Sequence, residues 1–325
     1  MHKMFVLFFI LFTGSVFAQM YIAEQPFAHT FSIVARDPES GEIGAAVQSH
    51  WFNVGSSVIW GEAGVGVIAT QSFVNVSYGL RGLALLKSGL NPQQVVDSLI
   101  GPDEGKDYRQ LAVLDTKGNS AAWTGKKCVE SAGHLNGQNY SVQANLMLNN
   151  KIWPAMEKAF KESKGPLAER LITVLEAAQK EGGDIRGKQS AAILVYKGVS
   201  TGKPWDDKLI DLRVDDNPAP TPELKRLLKV QRAYDHMNNG DLAVEKGDMQ
   251  KAMFEYSSAE KMFPDNEEMK FWHAVTLINK GGKDEGYKLL KEVFTMNNNY
   301  RILIPRIIKS GLLDVSENEV TEHTK

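Results

Sequence analysis

Residues 30–79 constrain the fold more than any other stretch. Thr30 to Arg36 alternates as a strand, with Phe31, Ile33 and Ala35 on one face. Asp37-Pro38-Glu39-Ser40-Gly41 follows as a turn, since proline presets its φ and glycine accepts a positive one. Glu42 to Ser49 is the return strand. Val58 to Trp60 and Val65 to Gln71 form a second hairpin across Gly61–Gly64. Small residues at Gly44, Ala45, Ala46, Gly64, Gly66 and Ala69 point to strands approached closely by other backbone, as in stacked sheets.

The pattern then shifts to helices, Tyr78 to Ser88 and Pro92 to Ile100, the second opened by Asn91 as N-cap. Strands return at Gln110 to Asp115, Ser120 to Thr124 and Tyr140 to Met147. Helices follow at Ile152 to Lys161 and Pro166 to Glu181, and strands at Gln189 to Tyr196 and Leu209 to Val214. Segregated runs of this kind predict layered α+β, with two antiparallel sheets stacked between helix pairs as a four-layer αββα sandwich.

Asp215 to Pro222 carries three alternate prolines and reads as extended, which sets a linker at 217–222. Beyond it the pattern is helical, with Leu224 to His236 as a leading helix and Arg301 to Ile308 as a closing one. Gly247-Asp248 before Ala252, Tyr256 and Ala259 is echoed 34 residues on by Gly281 before Gly286, Leu290 and Val293. Pro264-Asp265-Asn266 closes the first of these phrases, which resembles the second helix of a tetratricopeptide unit. The expectation is an all-α tetratricopeptide-like domain over 223–313 and a disordered tail over 314–325. Such a domain suits docking of a protein partner.

The N-terminus reads as a signal peptide over 1–18. His2 and Lys3 precede an apolar run from Met4 to Phe12, and Val16-Phe17-Ala18 fits signal-peptidase cleavage. The run is shorter than the roughly 20 residues that span a bilayer. No cysteine lies there to carry a lipid. The expectation is export to the periplasm or the exterior, with no membrane span after cleavage and a leader over 19–29 before a domain over 30–216. Net charge is −2, which gives no electrostatic argument for nucleic acid. Cys128 is the single cysteine, so no internal disulfide forms, and it reads as a small residue after a strand rather than a reactive thiol.

Chemistry concentrates at strand ends. A strand-opening threonine that becomes the N-terminus attacks with its hydroxyl and uses its own α-amino group as base. Thr30 holds that position if the His29–Thr30 bond is cut; otherwise it merely opens a strand. Gln48-Ser49, Gln71-Ser72 and Gln143-Ala144-Asn145 place amides and hydroxyls at the ends of apolar strands. There they either donate to a developing oxyanion or satisfy local backbone. In Gly182–Ser190, Asp184 and Arg186 either pair to orient a neighbour or cap the helix and fix the loop. His50 and His134 lie in loop-like settings, but no Gly-x-Ser-x-Gly elbow accompanies them. No metal-ligand spacing occurs, and Asp206-Asp207 and Asp215-Asp216 read as solvated turns. No cofactor is implied.

Seven blocks in order carry a family resemblance. They are Thr30–Pro38, Gly64–Gln71, Tyr78–Leu83, Tyr108–Leu111, Pro166–Leu171, Gly182–Ala192 and Leu212–Asp216. Together they resemble the domain-of-unknown-function family 1028 over roughly residues 30–231. That family is similar in fold to the N-terminal-nucleophile hydrolases, so the resemblance implies the αββα sandwich and supplies no activity. Ala144 departs from the glycine expected there. The preferred reading is an exported amide-bond hydrolase of the N-terminal-nucleophile type acting on a small amide or peptide-like ligand. Thr30 would attack, Ser49, Gln71, Gln143 and Asn145 would line the site, and Asp184 and Arg186 would orient it. The alternative is a non-catalytic module that binds a ligand or cell-wall fragment while the helical domain docks a partner. The absence of a lysine near the strand ends favours that alternative. The oligomeric state is left open.

Overall fold

The computed structural model describes residues 27–325. The expected signal peptide, and the leader as far as Pro26, lie outside the described residues. The chain is α+β: antiparallel sheets come first and a helical region follows.

Strand β1 (Phe27–Ala28) is separated by His29 from β2 (Thr30–Arg36). The expected turn returns the chain into β3 (Ile43–Ser49). The Asp37 carboxylate accepts the Glu39 N–H at 2.8 Å, and Gly41 takes φ +77°. Strands β4 (Ile59–Glu62) and β5 (Gly66–Phe73) form the second hairpin. Helices α1 (Ser77–Lys87) and α2 (Pro92–Ile100) follow, with Asn91 and Gln94 closing a capping box on α2. Then come β6 (Arg109–Asp115), β7 (Ser120–Thr124), β8 (Gly133–Gly137) and β9 (Tyr140–Ala144). Helices α3 (Ile152–Glu162) and α4 (Leu167–Lys180) precede β10 (Ser190–Tyr196), the short α5 (Pro204–Asp207) and β11 (Lys208–Val214). The sequence pattern did not predict β1 or β8.

One sheet runs β1-β5-β6-β7 with β4 also on β5, and the other runs β11-β10-β3-β2-β9-β8. Alternation of side chains along each strand decides what faces what. Val34, Ala45 and Val47 of one sheet share a core with Val67, Ala69, Ala112 and Leu114 of the other. Phe31, Ile33 and Ile193 point the opposite way, onto Met156, Leu171 and Leu175 of α3 and α4. Ile68, Leu111 and Val113 pack on Leu83, Val95 and Leu99 of α1 and α2. The small residues do mark close approach. A Cβ on Gly44 would meet the Leu194 carbonyl oxygen at 2.8 Å and Leu171 Cδ1 at 2.9 Å.

Two boundaries differ from expectation. Residues 217–222 are not a linker, because α6 (Pro220–Glu245) begins inside them. Pro220 and Pro222 fall in its first turn, where the backbone N–H groups have no intrahelical partner to lose. Leu224 and Leu228 of α6 are buried with α4 residues in the outer core of the second sheet. The far half of α6 instead packs Ala233, Met237 and Ala243 against Tyr256 and Ala259 of α7 (Met249–Met262). Helices α8 (Glu267–Asn279), α9 (Lys283–Met296) and α10 (Asn299–Lys309) continue the region. The tail at 314–325 is not devoid of structure, since α11 (Glu317–His323) buries Val320 in a core with Phe271, Leu290 and Ile304 of α8, α9 and α10.

The placement of α6 sets an expected result. A chain ending at Asp216 loses both buried leucines, at about 2–5 kcal/mol each by analogy with leucine truncation. It should melt well below a chain ending at Glu245, as read by circular dichroism. Equal melting temperatures would show that the start of α6 contributes nothing to the sheet core.

Candidate functional site

The layer between the sheets changes character along its length. At one end it is apolar, through Val34, Val47, Val67 and Leu114. Two to four residues along the same strand faces it becomes polar. The alternation that directs Val34 inward also directs Ser32 and Thr30 inward; Ala69 is continued by Gln71, Ala112 by Gln110, and Val47 by Ser49. Ser141 and Gln143 of β9 complete the group. All of these residues are fully buried.

The buried amides satisfy one another. Gln71 Nε2 donates to Gln110 Oε1 at 2.7 Å and to the Thr30 carbonyl at 3.1 Å. Its Oε1 accepts the Ser32 hydroxyl at 2.5 Å. Gln143 Nε2 donates to Ser32 Oγ at 2.6 Å, and Ser141 Oγ donates to Gln143 Oε1 at 3.1 Å. Asn145 Nδ2 donates to Gln110 Oε1 at 2.9 Å. Gln110 Nε2 reaches Thr124 Oγ1 at 2.8 Å and the Ala144 carbonyl at 2.9 Å. The network carries no formal charge, so it holds fixed dipoles in a dry layer at no cost in ion desolvation.

The His29–Thr30 peptide crosses the edge of this network. The His29 carbonyl oxygen accepts the Ser49 hydroxyl at 2.5 Å and Arg186 Nη2 at 2.9 Å. The Thr30 carbonyl accepts Asn145 N–H at 3.1 Å in addition to Gln71. Arg186 is aimed by Asp184. Its Nε and Nη2 donate to the two carboxylate oxygens at 3.0 and 2.7 Å. The Asp184 carboxylate also accepts the His50 N–H at 3.2 Å. Gly182 and Gly183, at φ +120° and +67°, turn the chain from α4 so that Asp184 can bridge to Met147. A hydroxyl and a guanidinium on one peptide oxygen stabilise negative charge that develops there.

His29 is held as a neutral ring. Its Nδ1–H donates to Asn145 Oδ1 at 2.9 Å, and its ring stands perpendicular to that of Phe73 with centroids 6.0 Å apart. Burial holds its pKa below the ordinary 6.5; the bond to Asn145 opposes this and the nearby Arg186 charge assists it. Burial also lowers His134, whose Nδ1 lies 2.8 Å from Thr124 Oγ1. For both groups the unfolded chain binds protons first as pH falls. Their contribution to stability is complete above about pH 6.5 and is lost as pH falls through the depressed values. In a chain that retains residue 29, thermal midpoints should decline from about pH 7 to about pH 5, and His29→Gln should flatten the decline. An unchanged slope would show that His29 is not held neutral.

Six of the seven residues named from sequence meet here directly. Thr30, Ser49, Gln71, Asn145, Asp184 and Arg186 all hydrogen-bond the two carbonyls, contribute one of them, or hold a group that does. Gln143 lies one step deeper, behind Ser32. The sequence reading missed Gln110, Ser32 and His29. Gln110 has a signal, its position two residues from Ala112 on an inward face. His50 gives its backbone rather than its ring to Asp184. The Cys128 thiol is pushed up by burial and donates to the Arg109 carbonyl at 3.3 Å, which does not favour a thiolate. Asp207 is occupied by Ser200 and Thr201. Among the described residues no group of three or more His, Cys, Asp or Glu could hold a metal ion, and no helix is long and apolar enough to cross a membrane.

Comparison with known proteins places the same part of the chain. A family model described as "Family of unknown function (DUF1028)" matches residues 30–224, from the first residue of β2 to the first turns of α6. The crystal structure of a Silicibacter pomeroyi protein, itself given as DUF1028, is similar to this chain. It is 33% identical with a TM-score of 0.56, and the match covers 62% of this chain and 85% of that one. Among curated proteins none matches. The match begins at the residue whose carbonyl the buried amides hold, and it takes in every side chain of the network: the chain belongs to the DUF1028 family.

Proposed function

We propose that this protein is an exported amide-bond hydrolase of the N-terminal-nucleophile type, with residues 30–216 and the start of α6 folded as an αββα sandwich. The observation that carries the reading is the pair of donors on the His29 carbonyl, one residue before a buried threonine that opens a strand.

The chemistry follows from that placement. Thr30 Oγ attacks the His29 carbonyl carbon while Ser49 and Arg186 stabilise the oxyanion. The His29–Thr30 C–N bond breaks, the Thr30 nitrogen takes the hydroxyl proton, and residue 29 is left as an ester on Thr30 Oγ. Water then hydrolyses the ester, releasing the residue 29 carboxylate and regenerating the hydroxyl. The freed α-amine serves as general base in later turnovers on a substrate amide. Asp184 holds Arg186 in place, and Gln71 and Asn145 fix the Thr30 backbone. No step calls for a cofactor. Intact mass and N-terminal sequencing of the exported protein test the reading: a chain beginning at Thr30 supports it, and one beginning at Gln19 without turnover sinks it. Ser49→Ala removes one oxyanion donor and should slow scission about 10²–10³-fold, as read from the rate at which the new N-terminus forms.

The second reading is a binding module whose tetratricopeptide-like helices dock a protein partner. One observation favours it: with residue 29 attached, the amides spend their donors on one another and Thr30 is fully buried.

A further inference from the structure

The leader strand occupies a place that a substrate can take. Strand β5 gives one edge to β6 from Gly66 through Ser72. Its other edge is shared. β4 pairs with it from Gly66 to Ala69, and the Thr70 N–H is taken by the Val58 carbonyl. Past that point β1 takes over, with Ala28 opposite Ser72 and Phe27 opposite Phe73, antiparallel. The described pairing of this segment with β5 is two residues long, and breaking the His29–Thr30 bond removes its covalent tie to β2. Its departure opens a strand edge that leads directly to the oxyanion donors. Ser72 sits at φ +71° where the two strands meet, a strained conformation for a serine and one that recurs at ligand-holding segments.

We propose that the substrate is a polypeptide bound in extended form along β5 at Ser72–Phe73, in the place of Phe27–Ala28, with its scissile carbonyl where the His29 carbonyl lies. This deepens, and rests on, the hydrolase reading above. Backbone pairing supplies affinity without regard to sequence, and the side chain at the His29 place supplies selection. Asn145 Oδ1 is presented there as an acceptor, because its Nδ2 is committed to Gln110 and to the Thr30 carbonyl. The Phe73 ring supplies an apolar wall. A carboxylate there would face the Asn145 acceptor oxygen, and the nearby Arg186 charge is paired with Asp184, so the place offers a full ion of either sign no unpaired countercharge. The place selects a neutral, hydrogen-bond-donating ring, which histidine provides.

The test uses full-length protein with Thr30 as its first residue, obtained by self-scission or by an inserted protease site. A fluorescein-labelled peptide ending in Phe-Ala-His anilide is the probe, read by fluorescence polarisation and by aniline release. Binding at least ten-fold tighter than that of the Glu-for-His peptide is expected. Of two analogues N-methylated at Phe or at Ala, one should bind at least ten-fold more weakly, because alternate N–H groups of an antiparallel strand face its partner. The uncleaved Thr30→Ala chain, its edge still filled by β1, should not bind. Equal binding of both methylated analogues and the parent overturns the strand-edge site. Hydrolysis of small amides with no binding of the peptide overturns the substrate class and leaves the hydrolase reading standing. Peptide binding with the expected methylation pattern but no aniline release supports the docking edge and overturns the hydrolase reading.

Discussion

Replacing Thr30 by alanine is expected to keep the His29–Thr30 bond intact and to abolish turnover. The loss is chemical. Without the hydroxyl there is no nucleophile to form the ester, and the uncut bond leaves the residue 30 nitrogen acylated and unable to act as base. Removal of a nucleophile from a working site costs roughly 10⁴-fold or more in rate. The fold should survive, because Thr30 enters its strand pairing with Ser49 and the bond from the Gln71 side chain through its own backbone atoms, which alanine keeps. Thr30→Ser restores a hydroxyl and should recover part of both scission and turnover. Mass spectrometry of the exported chain reads the first effect, and an amide hydrolysis assay the second. Residues 19–29 retained with hydrolysis undiminished in the alanine variant would move the chemistry elsewhere. Retention with no hydrolysis in the wild type would leave the binding module.

Among single substitutions in the inter-sheet network, the largest stability loss is expected from Gln110→Ala. Gln110 lies at the centre of the inter-sheet network, fully buried, and its amide serves both sheets. Truncation leaves donors on Gln71 and Asn145 without their acceptor and the Ala144 carbonyl without one of its donors. An orphaned buried polar group costs about 1–3 kcal/mol, so the sum is on the order of 3–6 kcal/mol. In a domain of this size that lowers the thermal midpoint by roughly 6–20 °C. Gln110→Glu is the sharper variant, since it keeps the shape but adds a charge to a layer that holds none. Midpoints within a degree or two of wild type for both variants would show that water replaces the lost bonds.

Much of this was legible in the sequence because strands have a period of two. Once Val34, Val47 and Ala69 are set inward, the same parity sets Thr30, Ser49 and Gln71 inward too, which is why the polar strand ends meet in one buried layer. The sequence could not show which amide stands at the centre. Gln110 and Gln143 look alike in their strands, and only the pairing across two sheets separates them. Arg186 and the His29 carbonyl are 157 residues apart, a contact made by topology and not by any local pattern. β8 was missed because Gly-His-Leu-Asn-Gly has neither β-branched residues nor clean alternation. α6 was cut short because alternate prolines signal an extended chain, yet in a first helical turn they are free of penalty. Tertiary burial of Leu224 and Leu228 decided between those two states.

That same helix has a mechanical consequence. With 26 residues at about 1.5 Å each, α6 is a rod about 39 Å long. One end is pinned at the sheets: the Thr221 hydroxyl donates to Gln48, the neighbour of Ser49. The other end is pinned among the C-terminal helices by Met237 and Ala243. A tilt of about 5° at one end of such a rod would carry the other through about 3 Å. A displacement of that size exceeds the tolerance of a hydrogen bond. Helix α6 thus joins the packing of the C-terminal helices to Gln48, one residue from the Ser49 hydroxyl that holds the His29 carbonyl.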